Sequence, residues 1–379
     1  MERPRDESAG LGDVDPHYTF AELVRLGLGS SAASLRLQQR PRRKRGAGPW
    51  PYPAAAILGL PAQGRTWDSA RSWNWWHSLL LFVLGAAWGL QFAVLKIATE
   101  SSLSELGILS VSMVLLAAVY ALTLTFRRSW FRPRRRHLSF FVISSLFGFV
   151  LPLGGVVLVA EQLTAGIMVF YTEALIPVFT VAIVLTLGTE RLSRRRLTAV
   201  ALALIGVAIA VWPEQVFSGG NRLEGFLIAL VIPLAYAIDG VYVAARWPED
   251  LSAFQVVTGK AVTAAAMLLP LWLLFEGAGG LPQTMGTGEW AILAFVPVSY
   301  LEVYLYFYLL STAGAVFVSF GCFVSLFAGF FWGLLLLGES HSPLVWLAVA
   351  VVSVALYLIV AERRPDATAG EGTLKGSRA

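Results

Sequence analysis

Five ionisable side chains lie inside long apolar stretches of this sequence. They are Lys96, Glu173, Asp239, Lys260 and Glu302. A charge at the centre of a membrane-spanning helix costs roughly 2.5 to 3.5 kcal/mol on insertion scales, so each such residue needs a partner, water or a function. Lys96 lies near the end of its stretch, where a lysine can reach the interface. Asp239 and Glu302 lie near the middle of theirs, and we interpret both as functional.

Other polar and aromatic residues accompany these acids. Gln91 also lies in mid-stretch, and Tyr300, Tyr304 and Phe307 share roughly one helical stripe, which could line a cavity or pack. Three acids against one deep lysine leave a surplus of negative charge, so either some acids are protonated at rest or a cationic group fills the site. We expect Glu302 or Asp239 to exchange a proton. The predicted substrate-binding residues are Trp88, Gln91, Glu173, Tyr236, Asp239, Tyr300, Glu302 and Tyr304.

Catalytic and metal chemistry find little support in the sequence. The four histidines, His17, His77, His137 and His341, lie outside the apolar stretches or at their edges, and Cys322 is the single cysteine. An intramembrane serine protease would need a histidine facing its serine, and a metal site would need clustered ligands. No phosphate-binding loop of the Walker type occurs. We therefore predict no enzyme activity, no cofactor and no metal.

The elements that must position these residues are membrane helices. Of the 379 residues, 56% are hydrophobic and 14% charged, with a mean hydropathy of +0.67, whereas soluble domains carry about 25% charged residues. The predicted fold class is an all-α integral membrane protein with ten transmembrane helices, of which the fifth is short. The predicted segments are 78–98, 103–126, 138–160, 163–187, 197–212, 225–245, 253–275, 288–310, 312–337 and 343–361.

The chain resembles itself at an offset of 148 residues. This shift places Trp88 on Tyr236, Gln91 on Asp239 and Thr164-Ala165-Gly166 on Thr312-Ala313-Gly314. Each copy holds five apolar segments, an odd number, so the second copy enters the bilayer in the opposite sense to the first. The sequence therefore predicts two inverted five-helix repeats, 78–212 and 225–361, as in many secondary transporters.

The basic residues predict the orientation of the chain. They gather ahead of the first segment, between the second and third, and between the fourth and fifth, whereas the alternate loops hold one basic residue, Arg222. The positive-inside rule then places both termini in the cytoplasm and the protein in the cytoplasmic membrane. The net charge of +5 needs no nucleic-acid partner. Residues 1–77 form a basic, mostly disordered tail by composition, and 362–379 form a short polar tail.

Several motifs resemble the EamA-type branch of the drug/metabolite transporter superfamily. They are Trp88-Gly89 with Lys96, Ile176-Pro177-Val178-Phe179, Leu187-Gly188-Thr189-Glu190-Arg191-Leu192 and Leu204-Ile205-Gly206-Val207. The resemblance covers about 78–361 and implies ten helices in two inverted repeats, cytoplasmic ends and a central cavity for small polar metabolites. One position departs from the pattern: Ser325 stands in the ninth segment where the family usually repeats the proline of the fourth.

The predicted function is secondary active transport, most simply export, of a small polar metabolite or drug. The partners are this small molecule and the lipid bilayer, and the oligomeric state is left open, with a homodimer included. Two alternatives remain: a flippase for lipids or lipid-linked sugars within the same superfamily, and a non-transporting membrane sensor that uses the long tail. A sensor should lose its function when residues 1–70 are deleted, whereas a metabolite carrier should not.

Overall fold

The computed structural model describes residues 75–187, 193–217, 222–276 and 284–361, and these ranges contain helices and connecting loops but no strand. The predicted tails, 1–77 and 362–379, lie outside the described residues except for 75–77. These three residues are not tail, because the first helix begins at Trp75. The apolar first span is thus preceded by an extra turn that includes Trp75 and Trp76.

Ten helical elements follow one another within the described ranges. The first five are α1 (Trp75–Ala98), α2 (Glu105–Phe126), α3 (Arg135–Ser145 and Leu151–Val159, joined by a π-helical turn, Leu146–Val150), α4 (Ala165–Thr186) and α5 (Arg194–Phe217). The second five are α6 (Arg222–Ala229 and Val231–Arg246), α7 (Ala253–Phe275), α8 (Thr287–Thr312), α9 (Ala315–Ser319 and Gly321–Leu337) and α10 (Pro343–Ala361).

Nine of these elements, within the part of the chain that the structure describes, are long and apolar enough to cross a membrane. The all-helical, multi-span fold class predicted from the sequence is confirmed. The remaining predicted segment, the fifth (197–212), lies within α5, which is a helix but not one of the nine. Its assignment as a membrane span stays a prediction.

Serine side chains mark equivalent helix starts in the two halves. Ser104 accepts a hydrogen bond from the backbone of Gly107 at 3.0 Å and begins α2. Ser252, its counterpart at the offset of 148, accepts from the backbone of Gln255 at 3.4 Å and begins α7. A serine oxygen at this position satisfies an amide that the helix leaves without a partner. The repeated serine is therefore a repeated helix cap.

The equivalence between the halves ends before α9. Thr164 caps α4 through the backbone of Ile167, but its counterpart Thr312 is the last residue of α8. The residue ahead of α9 is instead Gly314, whose φ of 87° lies in the region that favours glycine. A further break at Phe320 divides α9 after its first five residues.

The packing of the helices repeats when the halves are exchanged. Helix α1 packs on α8 and α9, and its counterpart α6 packs on α3 and α4. Helix α2 packs on α8, just as α7 packs on α3, and the pairs α2 with α7, α4 with α9 and α5 with α10 each join counterparts. This set of contacts is the one expected of two equivalent halves. The opposite membrane sense of the halves stays a prediction.

Small residues allow α1 and α9 to approach closely. A Cβ atom added at Gly89 would lie 2.6 Å from the backbone nitrogen of Gly329, and one added at Gly329 would lie 2.7 Å from Val169 of α4. Such contacts are typical of helices that associate in membranes, where dispersion contacts replace the hydrophobic effect. They fix α1 against α9, and they bring the polar face of α1 toward α8.

Candidate substrate site

A hydrogen-bonded cluster joins α1 to α8 at Gln91, one of the predicted substrate-binding residues. The amide nitrogen of Gln91 donates to Ser299 Oγ at 3.0 Å and to Glu302 Oε2 at 3.2 Å. Ser299 and Glu302 are three residues apart on α8 and therefore share one face of the helix. Both side chains are buried. The structure thus brings Gln91 and Glu302 together and places Ser299 beside them.

The carboxyl group of Glu302 is only half satisfied. Its Oε2 atom accepts from Gln91, whereas its Oε1 atom is buried and has no hydrogen-bond partner among the described residues. The residue is 6% exposed. A buried polar atom without a partner costs roughly 1 to 3 kcal/mol, more when it is charged, and native structures keep such atoms rarely. Glu302 is therefore able to bind a proton or to accept a hydrogen bond from a ligand.

A second polar cluster joins α3, α6 and α7. The ammonium of Lys260 lies 2.7 Å from Asp239 Oδ2, and the hydroxyl of Ser144 donates to Asp239 Oδ1 at 2.5 Å. The side chains of Lys260 and Asp239 are 12% and 13% exposed. The partner of Lys260, which the sequence left open, is thus Asp239. The charge of this acid is balanced within the protein.

The π-helical turn of α3 brings the backbone against this ion pair. A Cβ atom at Gly148 would collide with Asp239 Oδ2 and would lie 2.6 Å from Lys260 Nζ. The ring centroid of Phe149, the next residue, lies 5.3 Å from the same ammonium, within the range of a cation–π contact. Single π turns within α-helices occur often at functional sites. Here the turn and the glycine make room for the pair.

Glu173 and Tyr236 lie between the two clusters. Glu173 of α4 faces Cys322 and Ser325 of α9, and it keeps part of its surface exposed. Tyr236 of α6 lies within electrostatic range of three carboxyl groups, those of Glu173, Asp239 and Glu302. Three helices, α4, α6 and α8, therefore each contribute one acid to the group. Tyr236 is the side chain that all three acids share.

Tyr300 borders this group, whereas Tyr304 does not reach it. The ring of Tyr300 lies 5.7 Å from that of Tyr120, whose hydroxyl donates to the backbone oxygen of Ser299 at 3.3 Å. Tyr304 packs instead on Phe254 at the start of α7, with ring centroids 6.3 Å apart. Phe254 in turn lies beneath the guanidinium of Arg127 at 4.4 Å. Tyr304 therefore lies toward the end of the bundle that carries Arg127.

Trp88 lies against α8 and α9 rather than among the acids. Its ring centroid is 6.3 Å from that of Tyr306, and a Cβ atom at Gly321 would lie 3.0 Å from the indole. At the offset of 148, Trp88 corresponds to Tyr236 and Gly321 to Glu173. The two halves therefore place an aromatic residue at the same point. Only in one half does it lie beside an acid.

Lys96 has a partner of its own, away from this group. Its ammonium lies 3.2 Å from Glu339 Oε1 and donates to the backbone oxygen of Leu163 at 2.6 Å. Lysines and arginines of the described ranges form no ion pair with Glu302 or Glu173. The same residues contain no cluster of histidine, cysteine and acidic side chains that could hold a metal. Of the three acids in this group, Glu302 and Glu173 are thus the two that no lysine or arginine of the described ranges neutralises.

Fold and site together define a multi-span helical membrane protein with an acidic polar group between its helices. Residues 75–212, from α1 to α5, match the model described as "EamA-like transporter family". This match agrees with the family resemblance that the motifs indicated, and it covers the first of the two predicted halves.

No curated protein sequence matches the chain. A solved structure entitled "Crystal structure of protein" is 17% identical, with a TM-score of 0.49, over 75% of this chain and 99% of that one.

Proposed function

We propose that the protein is a secondary active transporter that exports a small polar metabolite or drug across the cytoplasmic membrane. The observation that carries this proposal is the buried, half-satisfied carboxyl group of Glu302, which Gln91 connects to α1. An ionisable side chain within a membrane bundle is costly and marks a substrate or ion pathway by default. Glu302 lies deep in the bundle and has one free acceptor.

Alternating access is the proposed mechanism. Each half supplies counterpart helices to the same contacts, and inverted repeats of this kind place their substrate between the halves near the midplane. With the two halves in opposite orientations, rocking of one against the other exposes the site to each side in turn. The distribution of arginines supports a cytoplasmic location for both termini.

Proton exchange on Glu302 is the proposed coupling step. Asp239 was predicted for the same role, but its ion pair with Lys260 gives it a compensating charge that Glu302 lacks. In this step the carboxyl group loses its proton when it binds a substrate and regains the proton when the substrate leaves. The movement of the substrate is thereby linked to the movement of the proton. We therefore place coupling first on Glu302.

Metabolite profiling tests this function. A host that overexpresses the native chain is compared with hosts that express Glu302→Gln or Glu100→Gln at matched membrane levels, and both medium and cells are analysed by mass spectrometry. Glu100 is exposed and supplies a matched control. We expect one or more compounds to accumulate in the medium with the native chain and with Glu100→Gln only. Identical profiles from native and Glu302→Gln hosts would contradict the role of Glu302.

A groove on the side of the bundle favours a lipid or lipid-linked-sugar flippase as the second candidate. It has a volume of about 590 Å³ and lies between α1 and α9, with exposed Phe82, Phe327 and Phe331 in its walls. The indole nitrogen of Trp332 is occupied by the backbone oxygen of Ala86 at 2.9 Å, so the lining is apolar. Movement of a fluorescent phospholipid between the leaflets of reconstituted vesicles would favour this candidate over a metabolite carrier.

A further inference from the structure

The charges around the acid group restrict what can bind there. Of its three carboxyl groups, only that of Asp239 is neutralised by a cation among the described residues. Glu302 and Glu173 remain, and both lie within electrostatic range of Tyr236. An anionic ligand would meet two carboxyl groups and one ammonium that is already paired. A cationic ligand would instead supply the positive charge that this part of the molecule lacks.

The hydrogen bonds around the three acids also favour a cationic ligand. Several of its donors are engaged: Gln91 donates to Ser299 and Glu302, Ser144 to Asp239, and the ammonium of Lys260 to Asp239. The buried Oε1 atom of Glu302, in contrast, is an acceptor without a partner. A ligand that complements this arrangement brings N–H donors rather than further acceptors.

Aromatic residues at the edge of the group suit the body of such a ligand. Tyr236 lies within electrostatic range of all three acids, and Tyr120 and Tyr300 form a ring contact of 5.7 Å next to Ser299. Aromatic rings attract cations through their negative faces and also accommodate apolar groups. Several tyrosines beside two unneutralised carboxyl groups are an arrangement suited to a protonated amine on an apolar or aromatic body.

From these observations we propose that the substrate is an organic cation, a protonated amine whose N–H groups are accepted by Glu302. This proposal rests on the proposed function of the same site in transport. The amine donates to Oε1 of the deprotonated carboxylate, and Glu173 supplies the second negative charge. When the amine leaves, Glu302 takes up one proton, so one monovalent cation is exchanged for one proton and the charge of the site is unchanged.

Matched ligand series test the proposal on the purified full chain in detergent. The probes are 2-phenylethylamine, cyclohexylamine and 1,4-diaminobutane, each with the corresponding alcohol and carboxylate, and the readout is the shift in thermal unfolding temperature with ligand concentration. We expect at least one amine to stabilise the native chain, while its alcohol and carboxylate do not. Glu100→Gln should behave as the native chain does, and Glu302→Gln should bind that amine at least tenfold more weakly.

A conservative variant guards against a trivial loss of structure. Glu302→Asp keeps the charge and should retain part of the amine shift, provided that both Glu302 variants unfold cooperatively without ligand. The proposal is overturned if no amine shifts the native chain, if an alcohol or carboxylate shifts it equally, or if the shift persists in Glu302→Gln.

The metabolite profiles separate this proposal from the proposed function. If export of a neutral or anionic compound depends on Glu302, the proposed transport function is supported and the proposed cationic substrate is contradicted. If the level of no compound depends on the protein, the proposed transport function itself is contradicted.

Discussion

Lys260 and Asp239 form an ion pair with 2.7 Å between Nζ and Oδ2, deep between α6 and α7. The pair divides the acids of the bundle into two kinds. Asp239 receives a charge partner and a hydroxyl donor from the protein, whereas Glu302 receives one amide donor and no cation among the described residues. Position within a span alone does not distinguish the two acids. Their roles differ because their neighbours differ.

Removing one member of the pair should destabilise the protein more than removing both. Loss of one partner leaves a buried charge uncompensated, at a cost of about 3 to 5 kcal/mol, whereas apolar or neutral replacement of both partners is often tolerated. We expect Asp239→Asn and Lys260→Met each to lower the thermal unfolding temperature in detergent, and the double variant to recover much of the loss. A double variant no more stable than either single one would show that the pair does not act as a unit.

Gly148→Ala should disturb the same pair through its backbone. The added methyl group would collide with Asp239 Oδ2 and approach Lys260 Nζ to 2.6 Å. We expect lower stability and loss of transport. Gly154→Ala is the matched control on α3, because its nearest neighbour there is Leu109 Cδ1 at 3.4 Å. Since alanine is favoured over glycine in helices by about 1 kcal/mol, Gly154→Ala should be neutral or stabilising. Equal behaviour of the two variants would contradict the crowding at Gly148.

Much of the fold could be predicted from the sequence because membrane spans depend on composition over some twenty residues, which a sequence displays directly. The observed bounds of α2, Glu105–Phe126, and of α7, Ala253–Phe275, lie within two residues of the predicted ones. The start of α1 was placed three residues late. The exposed Trp75 and Trp76 extend that helix beyond its apolar run.

The site could be predicted less completely, since contacts between distant helices depend on how each helix is rotated. Gln91 and Glu302 are 211 residues apart, and no periodicity states that their side chains meet. Tyr304 shares a stripe with Tyr300, but it lies one turn, about 6 Å, further along the helix and reaches Phe254 instead. The π turn around Gly148 has no characteristic residue pattern by which the sequence could have predicted it. Ser299, three residues before Glu302, is the one additional member that helical spacing could have identified.

Glu339 should stabilise the start of α4. Gly338, with a φ of 63°, ends α9 and turns the chain so that Glu339 Oε1 accepts from the backbone of Ala165 at 2.8 Å and lies 3.2 Å from Lys96. A carboxylate at this position satisfies free amides and complements the helix dipole. We expect Glu339→Ala to cost more than a typical helix cap, about 0.5 to 2 kcal/mol, because it also leaves Lys96 unpaired. Glu339→Gln keeps an acceptor and should cost less.

Thermal unfolding of the two Glu339 variants, beside the exposed Glu100→Ala, measures this contribution. If Glu339→Gln were as damaging as Glu339→Ala, the charge rather than the hydrogen bond to α4 would carry the effect. If neither differed from Glu100→Ala, the contact would contribute nothing to stability.

Asp250 should make stability depend on pH in the acid range. It lies in the loop between α6 and α7, 2.7 Å from Arg136 Nη2 and 3.3 Å from His137 Nε2. Burial acts to raise the pKa of this carboxyl, but the hydrogen bond from Arg136 and the neighbouring charges outweigh it and lower the pKa below its ordinary value. His137 Nδ1 accepts from the backbone of Arg134 at 3.2 Å, and its Nε2 lies 3.3 Å from both Arg136 Nε and Asp250 Oδ1.

The sign of this pH dependence follows from the lowered pKa. Asp250 binds protons more weakly in the folded protein than in the unfolded chain, whose aspartates have a pKa of about 3.9. Its contribution to stability is therefore complete above that value and is lost as the pH falls through the lower pKa of the folded state. Asp250→Asn should thus be less stable than the native chain at pH 7, by a small amount because the side chain is 40% exposed. Unfolding temperatures of both proteins between pH 7 and pH 3 should converge at the acid end. A difference that stays constant, or that grows on acidification, would show that the ion pairs of Asp250 do not stabilise this end of the bundle.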